Sequence, residues 1–472
     1  MKKGKPNVKV ILLAAIITIA LIPWLFILFR SVERDVPAPA ASTEANNISD
    51  TGADSSLPVH TPTPEPTETP PLTPEPTTAP RPEPTPRPTP EPPPTPDPGP
   101  EPRVISIAEI NADLSSELDR ISSRFNCVAV SLVAYDGDSG EYFTYVYGYA
   151  STGAERRMNI DTKMRVASLS KLTTVMAAMV LVDREMLDLD MDISYYLGYQ
   201  VRNPNHPNTP VTTRMLMQHT SSLFDSSDFH ASRERHSSRS AQQLLEAGTS
   251  FRGQPGVGFE YTNFGYSVLA AVCEMVYGST FDILARELLF EPLGIDAAYV
   301  PNRLQDTANI ASIYNASHSR TRNLQSQLNV NDSETPGHDI HLAQGNLTIS
   351  PLDYAKLLTM LGNGGTFRGV RVLSPQSARE INDADERGVS YDQGLATRRS
   401  PVAFMPGGEA YWHTGSAYGT FAQYIYGIEG TNKGVVVVTT GARAERLSNG
   451  MLNICTELSE TVWEHLRFGS NG

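Results

Sequence analysis

Apolar residues recur at helical spacing in some stretches of the chain and follow strand patterns in others. One long stretch has neither. Ile107, Ile110, Leu114, Leu118 and Ile121 fall three or four apart and predict a helix, with Ser106 and Glu109 spaced as a capping box at its start. Residues 127–135 and 141–149 read as strands about the turn Asp136-Gly137-Asp138-Ser139-Gly140. A mostly helical middle follows, with an apolar run over 175–182 and further helical patterns over 265–278, 281–289 and 351–361. Thr212 or Thr213 is placed to cap a helix through Leu216, whereas residues 224–240 are polar and read as a surface loop. Strands return over 419–428 and 434–440, about a turn at 429–433, and a helix over 451–466 ends the pattern. Strands near both ends with helices between them predict an α/β (α+β) domain over residues 104–468. It would have one antiparallel sheet built from both termini, flanked by terminal helices, with an inserted all-helical lobe and a cleft between the two.

What precedes this domain is of a different kind. Lys2, Lys3, Lys5 and Lys9 stand in residues 1–9 or at their end, and residues 10–29 are uncharged and apolar. Twenty helical residues span about 30 Å, enough for a bilayer core, and the lysines place the N-terminus in the cytoplasm. The expectation is a single-pass signal-anchor in the cell membrane with everything after it extracytoplasmic. The alternative is a signal peptide cleaved near Ala38-Pro39-Ala40, giving a secreted protein. Against cleavage, the apolar run is long for a signal peptide and Arg30, Glu33, Arg34 and Asp35 separate it from the alanines. Residues 30–103 form a Pro/Thr/Glu-rich linker. Such a sequence cannot bury a core and favours polyproline II, so forty residues at ~3.1 Å each reach on the order of 120 Å as a semi-rigid stalk.

Charge narrows the partners. A formal net charge of −14 argues against nucleic acid and against an anionic membrane surface, and there is no glycine-rich phosphate loop between a strand and a helix. The chemistry centres on Ser168-Leu169-Ser170-Lys171, at the start of the apolar helix. That start puts Ser168 in the first turn and Lys171 one turn on, on the same face. A serine needs a neighbouring base, and lysine serves when its surroundings favour the neutral amine, as burial does. Beyond the apolar N-terminal run the chain has only Lys163, Lys171, Lys356 and Lys433, so the pairing is not one of many. Two more short runs follow: Tyr261-Thr262-Asn263 at a helix start, and His413-Thr414-Gly415-Ser416 leading into a strand. Alone, the first could be a packed ring and a cap and the second a turn.

In this order the three runs resemble the serine β-lactamase and penicillin-binding-protein motifs. The resemblance extends to residues 212–223, 288–294, 343–347 and 364–365, covering about 105–466. It points to the branch with class C β-lactamases, D-alanyl-D-alanine carboxypeptidases and related esterases, and implies a β-lactamase/transpeptidase-like fold and a cofactor-free serine hydrolase. The roles it implies are Ser168 as nucleophile, Lys171 and Tyr261 as the acid–base pair, and Asn263 as substrate and Lys171 contact. His413, Thr414 and Gly415 would bind substrate, and the backbone N–H groups of Ser168 and Ser416 would form the oxyanion hole. The implied partner is a peptidoglycan-like peptide or a small amide or ester, and oligomeric state is left open. The alternatives are a wall-sensing module that acylates without turnover, and a class C-like β-lactamase or esterase. His413 stands where many members carry lysine, and a histidine mostly neutral at pH 7 weakens the case for a substrate with a free carboxylate. Trp412 and Asn346 suggest a modified cleft. His219 reads as structural, and His338 and His341 lack a third metal ligand. Cys127, Cys273 and Cys455 fall at apolar positions and read as buried thiols, with Cys127–Cys455 the candidate pair if a disulfide forms.

Overall fold

The computed structural model describes residues 99–466 apart from 235–239, 331–334, 339–340 and 428–430. The expected cytoplasmic segment, membrane helix and nearly all of the linker lie outside the described residues. The main sheet is carried by β1 (Arg103–Ser106), β2 (Ala129–Asp136), β3 (Glu141–Ser151), β4 (Arg398–Pro401), β5 (Glu409–Ala417), β6 (Thr420–Gly427) and β7 (Lys433–Thr440). Their spatial order is β1-β3-β2-β7-β6-β5-β4, continued by the short strands Asp392–Gln393 and Asp385–Glu386. The pairing is antiparallel except that β1 lies parallel to β3. β7 pairs with β2 along its whole length, with Val437 opposite Leu132, and so joins the two ends of the domain as the pattern predicts.

The helices that matter for the site are α1 (Ala112–Arg124), α2 (Ser170–Asp183), α3 (Asn263–Tyr277), α4 (Pro351–Gly362) and α5 (Asn453–Leu466). β7 is an unbroken valine run because both of its faces are covered. Val435 and Val437 pack with Leu118 of α1 and Leu458 of α5, whereas Val436 and Val438 pack with α4 and the helical lobe. α2 is buried from Ser170 to Leu181, which is why it is apolar all round.

Two expectations are corrected. The capping box at Ser106 does not form: Ser106 belongs to β1, and the cap of α1 is Asn111, whose side chain accepts from Leu114 N. Residues 224–240 are not simply a surface loop, since Ser227–Glu234 is helical and Phe229 is buried against Phe264 with ring centroids 5.3 Å apart. The cysteines are as read from the sequence: Cys127, Cys273 and Cys455 are free and buried, and burial pushes the Cys127 thiol up to about 12.

Candidate active site

Ser168 sits in a tight turn, Ala167–Leu169, that leads into α2, so it precedes the helix rather than belonging to its first turn. Ala167 has φ of +50°, a left-handed conformation that a side-chain-bearing residue rarely holds. β5 comes up against this turn. A Cβ on Gly415 would lie 2.4 Å from Val166 O, so only glycine permits the approach. Residues Glu409 to Trp412 pair with β4, but the pairing stops there, and along 413–417 that edge of β5 is turned to the serine.

The helical-lobe side is held by hydrogen bonds. Lys171 is fully buried, and its Nζ donates to Asn263 Oδ1 (2.9 Å), to Gln344 O (2.8 Å) and, at 3.3 Å, to Ser168 Oγ. Each of the three atoms is an oxygen, two carbonyls and the serine hydroxyl, so the contacts hold the Lys171 side chain against the nucleophile. Asn263 opens α3, where Thr262 is the cap. Asp225 fixes its amide: Oδ2 accepts from Asn263 Nδ2 (2.7 Å), while Oδ1 accepts from Asn263 N (2.7 Å), Phe264 N (2.9 Å) and Thr262 Oγ1 (2.9 Å). With Nδ2 held by a carboxylate, Oδ1 must face Lys171. An anion at the first turn of α3 is also favoured by the helix dipole.

Tyr261 completes this side. Burial pushes its phenol up, but the Lys171 and Arg398 charges and hydrogen bonds with Ser168 and Lys171 outweigh burial and leave it below the ordinary tyrosine value. The His219 ring stacks 4.4 Å from the Tyr261 ring, and its Nδ1 accepts from Thr262 N (3.2 Å). Burial, then the charges of Lys171 and Arg398, hold His219 well below the usual histidine range. Read from sequence as structural, His219 is the neutral wall behind Tyr261.

The sheet side is built differently. His413 is buried, its Nδ1–H is bonded to Thr414 O (2.8 Å), and burial together with the charges of Arg398 and Lys171 holds it well below the usual range, so it is neutral. The cation near it is Arg398 of β4, 6% exposed and lying over the rings of Tyr391 (4.5 Å), Trp412 (5.2 Å) and Tyr261 (5.4 Å). Arg398 makes no ion pair among the described residues, and its Nε has no hydrogen-bond partner there. Arg446, from the segment between β7 and α5, donates to Thr414 Oγ1 (3.1 Å) and to Gly450 O. Trp412 does not reshape the cleft as expected. It packs in the terminal-helix layer, bonded to Ser400 Oγ (2.9 Å), and offers the cleft only a surface for Arg398. Asn346 is likewise a tie, donating to Tyr299 O (2.6 Å), although it also borders the cavity beside Ser168.

Ser168, Lys171, Tyr261, Asn263 and residues 413–416 are therefore brought together around one cleft, which continues into a cavity of about 390 Å³ bordered by Ser168, Asn263 and Ser416. His338 and His341 belong to no metal-binding group of three among the described residues. Sequence reasoning missed Asp225, Arg398 and Arg446. Asp225 stands just past the run 212–223, and an acid there was the one available signal; the two arginines offered none.

The model of the Beta-lactamase family matches residues 121–453, more than half of the chain, and the chain belongs to that family. It is similar to penicillin-binding protein 4* of Bacillus subtilis, 29% identical over 36% of this chain and 38% of that protein. It is also similar to the D-alanyl-D-alanine-carboxypeptidase/endopeptidase AmpH of Escherichia coli, 27% identical over 39% of this chain and 48% of that protein. The matched region thus spans less than half the length of either relative. Among solved structures, the octameric penicillin-binding protein homologue from Pyrococcus abyssi aligns over 75% of this chain and 77% of that one, at 18% identity and TM-score 0.58. A class C β-lactamase mutant aligns over 75% and 97%, at 16% identity and the same TM-score. The fold is the mixed α/β β-lactamase-like fold, a large sheet with helices, as the resemblance implies.

Proposed function

We propose that this member of the Beta-lactamase family is a membrane-anchored, extracytoplasmic serine hydrolase acting through an acyl-enzyme. Its substrates are peptidoglycan-type peptides that end in a D-amino acid with a free carboxylate, as for a D-alanyl-D-alanine carboxypeptidase. Tyr261, with Lys171 beside it, takes the Ser168 proton as Oγ attacks the penultimate carbonyl carbon. The backbone N–H groups of Ser168 and Ser416 hold the oxyanion. Asn263 orients Lys171 and offers the second hydrogen of its amide to the substrate. The tetrahedral adduct collapses, the C–N bond breaks, and the proton passes from Tyr261 to the departing amine. Water, deprotonated by the same pair, then releases the acyl group. The anchor is residues 10–29, and the proline-rich stalk carries the domain toward the wall.

The observation that carries the substrate reading is Arg398. His413 is neutral, which by itself counts against carboxylate recognition, but a buried guanidinium with no counter-charge among the described residues lies on the same side of the cleft. Thr414 supports it. Its hydroxyl accepts from Arg446, so its own hydrogen is directed away from that arginine and can be donated to a carboxylate. The test uses the full-length chain in mild detergent with a D-alanyl-D-alanine peptide, its C-terminal amide, a fluorescent β-lactam and Ser168→Ala as control. Cleavage of the free acid well above the amide, with Ser168→Ala silent, is the expected result. Labelling of Ser168 by the β-lactam without turnover of either peptide would instead identify a sensing module. Equal cleavage of acid and amide would remove the carboxylate from the reading.

A further inference from the structure

A single carboxylate on the leaving residue needs one cation, and the sheet side of the cleft holds two. Arg398 lies deep, carried by the rings of Tyr391, Trp412 and Tyr261. Arg446 stands at the rim, exposed but tied down. Both of its hydrogen bonds, to Thr414 Oγ1 (3.1 Å) and to Gly450 O, use Nη1, which leaves the Nε and Nη2 edge of the guanidinium open. No aspartate or glutamate pairs with either arginine among the described residues. The segment that presents Arg446 is fixed at its base. Glu445 N donates to Asn453 Oδ1 (3.0 Å), Asn453 N to Glu445 O (3.0 Å), and Leu452 N to Gln423 Oε1 of β6 (2.9 Å). Gly450 is seated against the rings that carry Arg398: a Cβ there would lie 3.3 Å from Trp412 Cη2 and 3.7 Å from Tyr391 Cε1. The same rings therefore place both guanidinium groups, one directly and one through the Gly450 carbonyl. Burial, then the charge of Arg398, hold Arg446 below the ordinary arginine value. Two like charges in one partly buried site repel, and bound anions relieve the repulsion.

We propose that Arg446 is a specificity residue for a second acid on the leaving residue. The substrate ends in a D-amino acid with an acidic side chain, D-glutamate or D-aspartate. Its α-carboxylate goes to Arg398 and Thr414, and its side-chain carboxylate goes to Arg446. Resting on the carboxypeptidase reading, this assignment names the residue released and leaves the chemistry as it stands: the same C–N bond breaks, and the amine departs with the proton from Tyr261. The depth of the two arginines sets the order. Arg398 lies over the Tyr261 ring, on the side of the reacting centre, whereas Arg446 is farther out, where a side chain of the last residue projects. The open Nε and Nη2 edge of a guanidinium takes a carboxylate through two parallel N–H bonds. A released alanine, with only a methyl group to offer, would make no use of that edge.

The experiment varies the leaving side chain alone. Full-length protein in mild detergent is given acetyl-D-alanyl-D-glutamate and acetyl-D-alanyl-D-glutamine, and the amino acid released is quantified. The acyl half and the α-carboxylate are the same in both. The expected result is kcat/KM higher for the glutamate peptide by about tenfold or more at low salt, with the ratio shrinking as salt is added. Arg446→Gln should bring the ratio to within about threefold of unity, and Arg446→Glu should invert it by like-charge repulsion. Arg446→Lys, which keeps the charge and loses the paired N–H bonds, should retain part of it. Each ratio is taken on one preparation, so a partly unfolded variant does not alter it. Equal rates in the wild type, or a ratio unmoved by Arg446→Gln, would overturn the assignment while leaving the hydrolase intact. So would cleavage of a D-alanyl-D-alanine peptide with neither of these two cleaved. A ratio near unity, with Arg446→Gln lowering the preference for D-alanyl-D-alanine over its C-terminal amide, would mean that both arginines share one carboxylate, and the second acid would be removed. A neutral p-nitrophenyl ester of N-acetyl-D-alanine checks the reading beneath. If intact-mass measurement finds no acyl group on Ser168 with the ester or with either peptide, the acyl-enzyme reading falls and takes the assignment with it.

Discussion

On the helical-lobe side of Ser168 the polar groups are bonded to one another. Lys171 is held by Asn263 and Gln344, Asn263 by Asp225, and Asp225 also by the first turn of α3. On the sheet side, a few ångströms away, Arg398 is buried among aromatic rings without an ion partner among the described residues, and Thr414 keeps a hydroxyl hydrogen in reserve. A buried network whose members are satisfied holds its atoms in one geometry, whereas an uncompensated buried charge costs stability until something pairs with it. The difference separates two tasks. The lobe side is arranged in advance for proton transfer, and the sheet side is left incomplete for the substrate to complete.

If that division is right, damage to the lobe side should appear as lost chemistry whatever the substrate. The largest effect is expected for Lys171→Met, which keeps the side-chain bulk and removes the amine. Acylation of Ser168, followed by intact mass against time, should slow by about 10³–10⁴-fold for ester and peptide alike. A loss below tenfold, or one confined to carboxylate substrates, would break the division at its strongest point.

Asp225→Asn tests how the arrangement is maintained. The new side-chain amide would present an N–H₂ group toward Asn263 Nδ2, two donors in contact, and the relief is a flip of Asn263 that turns its own N–H₂ toward Lys171. We expect kcat to fall by about 10²-fold on a neutral ester, the size of loss typical of a misplaced catalytic group. Adding Asn263→Asp restores a donor facing an acceptor across the pair, with an oxygen toward Lys171, and should recover about tenfold of the loss. Asp225 also caps α3, so a lower melting temperature alone proves nothing. Unchanged kcat with lowered stability would reduce Asp225 to a cap.

The two sides also differ in how far they could be read without a structure. Ser168-x-x-Lys171 and Tyr261-x-Asn263 lie at helix starts, where spacing along the chain sets which side chains meet, so local pattern sufficed. The β7 valines and the β2–β3 hairpin were legible for the same reason: both describe burial within a single element. Asp225 was not, because its partners lie some 38 residues on and its own surroundings are polar. The same polar run conceals Phe229, which the fold buries on the helix that follows Asp225. Arg398 was less legible still. It sits in a four-residue strand, Arg-Arg-Ser-Pro, and its burial depends on rings supplied by Tyr261, Tyr391 and Trp412 from three separate segments. Trp412 misleads for a related reason. Proximity to His413 in sequence is not proximity in the cleft, since successive residues of a strand face opposite ways.

Sheet-side substitutions should discriminate between substrates where lobe-side ones do not. Arg398→Gln should cost about 10–100-fold in kcat/KM on the D-alanyl-D-alanine peptide, mostly through KM, the loss expected for one charge-assisted hydrogen bond. On a neutral ester the fall should be several-fold at most. Equal losses on both would mean that Arg398 serves the chemistry and not recognition, and the two sides would then be one.

A smaller effect on the same variant sharpens the boundary, because Arg398 also touches the lobe side through its charge. Burial raises the Tyr261 phenol, and the charges of Lys171 and Arg398 with hydrogen bonds from Ser168 and Lys171 lower it by more, so the folded value lies below the free one. A depressed acid keeps its deprotonated form above its folded pKa and loses it as pH falls through that value. Removing one of the two cations therefore raises the folded value and shrinks the phenolate fraction at any given pH. The acid limb of kcat/KM on the neutral p-nitrophenyl ester should move to higher pH in Arg398→Gln and stay in place in Arg398→Lys, which keeps the charge. His413 should not set this limb, because burial and the charges of Arg398 and Lys171 keep it neutral well below the usual histidine range. Profiles of the wild type, both Arg398 variants and His413→Asn, taken at constant ionic strength, decide the matter. A limb that shifts as far in His413→Asn as in Arg398→Gln would make histidine the titrating group and leave Arg398 to recognition alone.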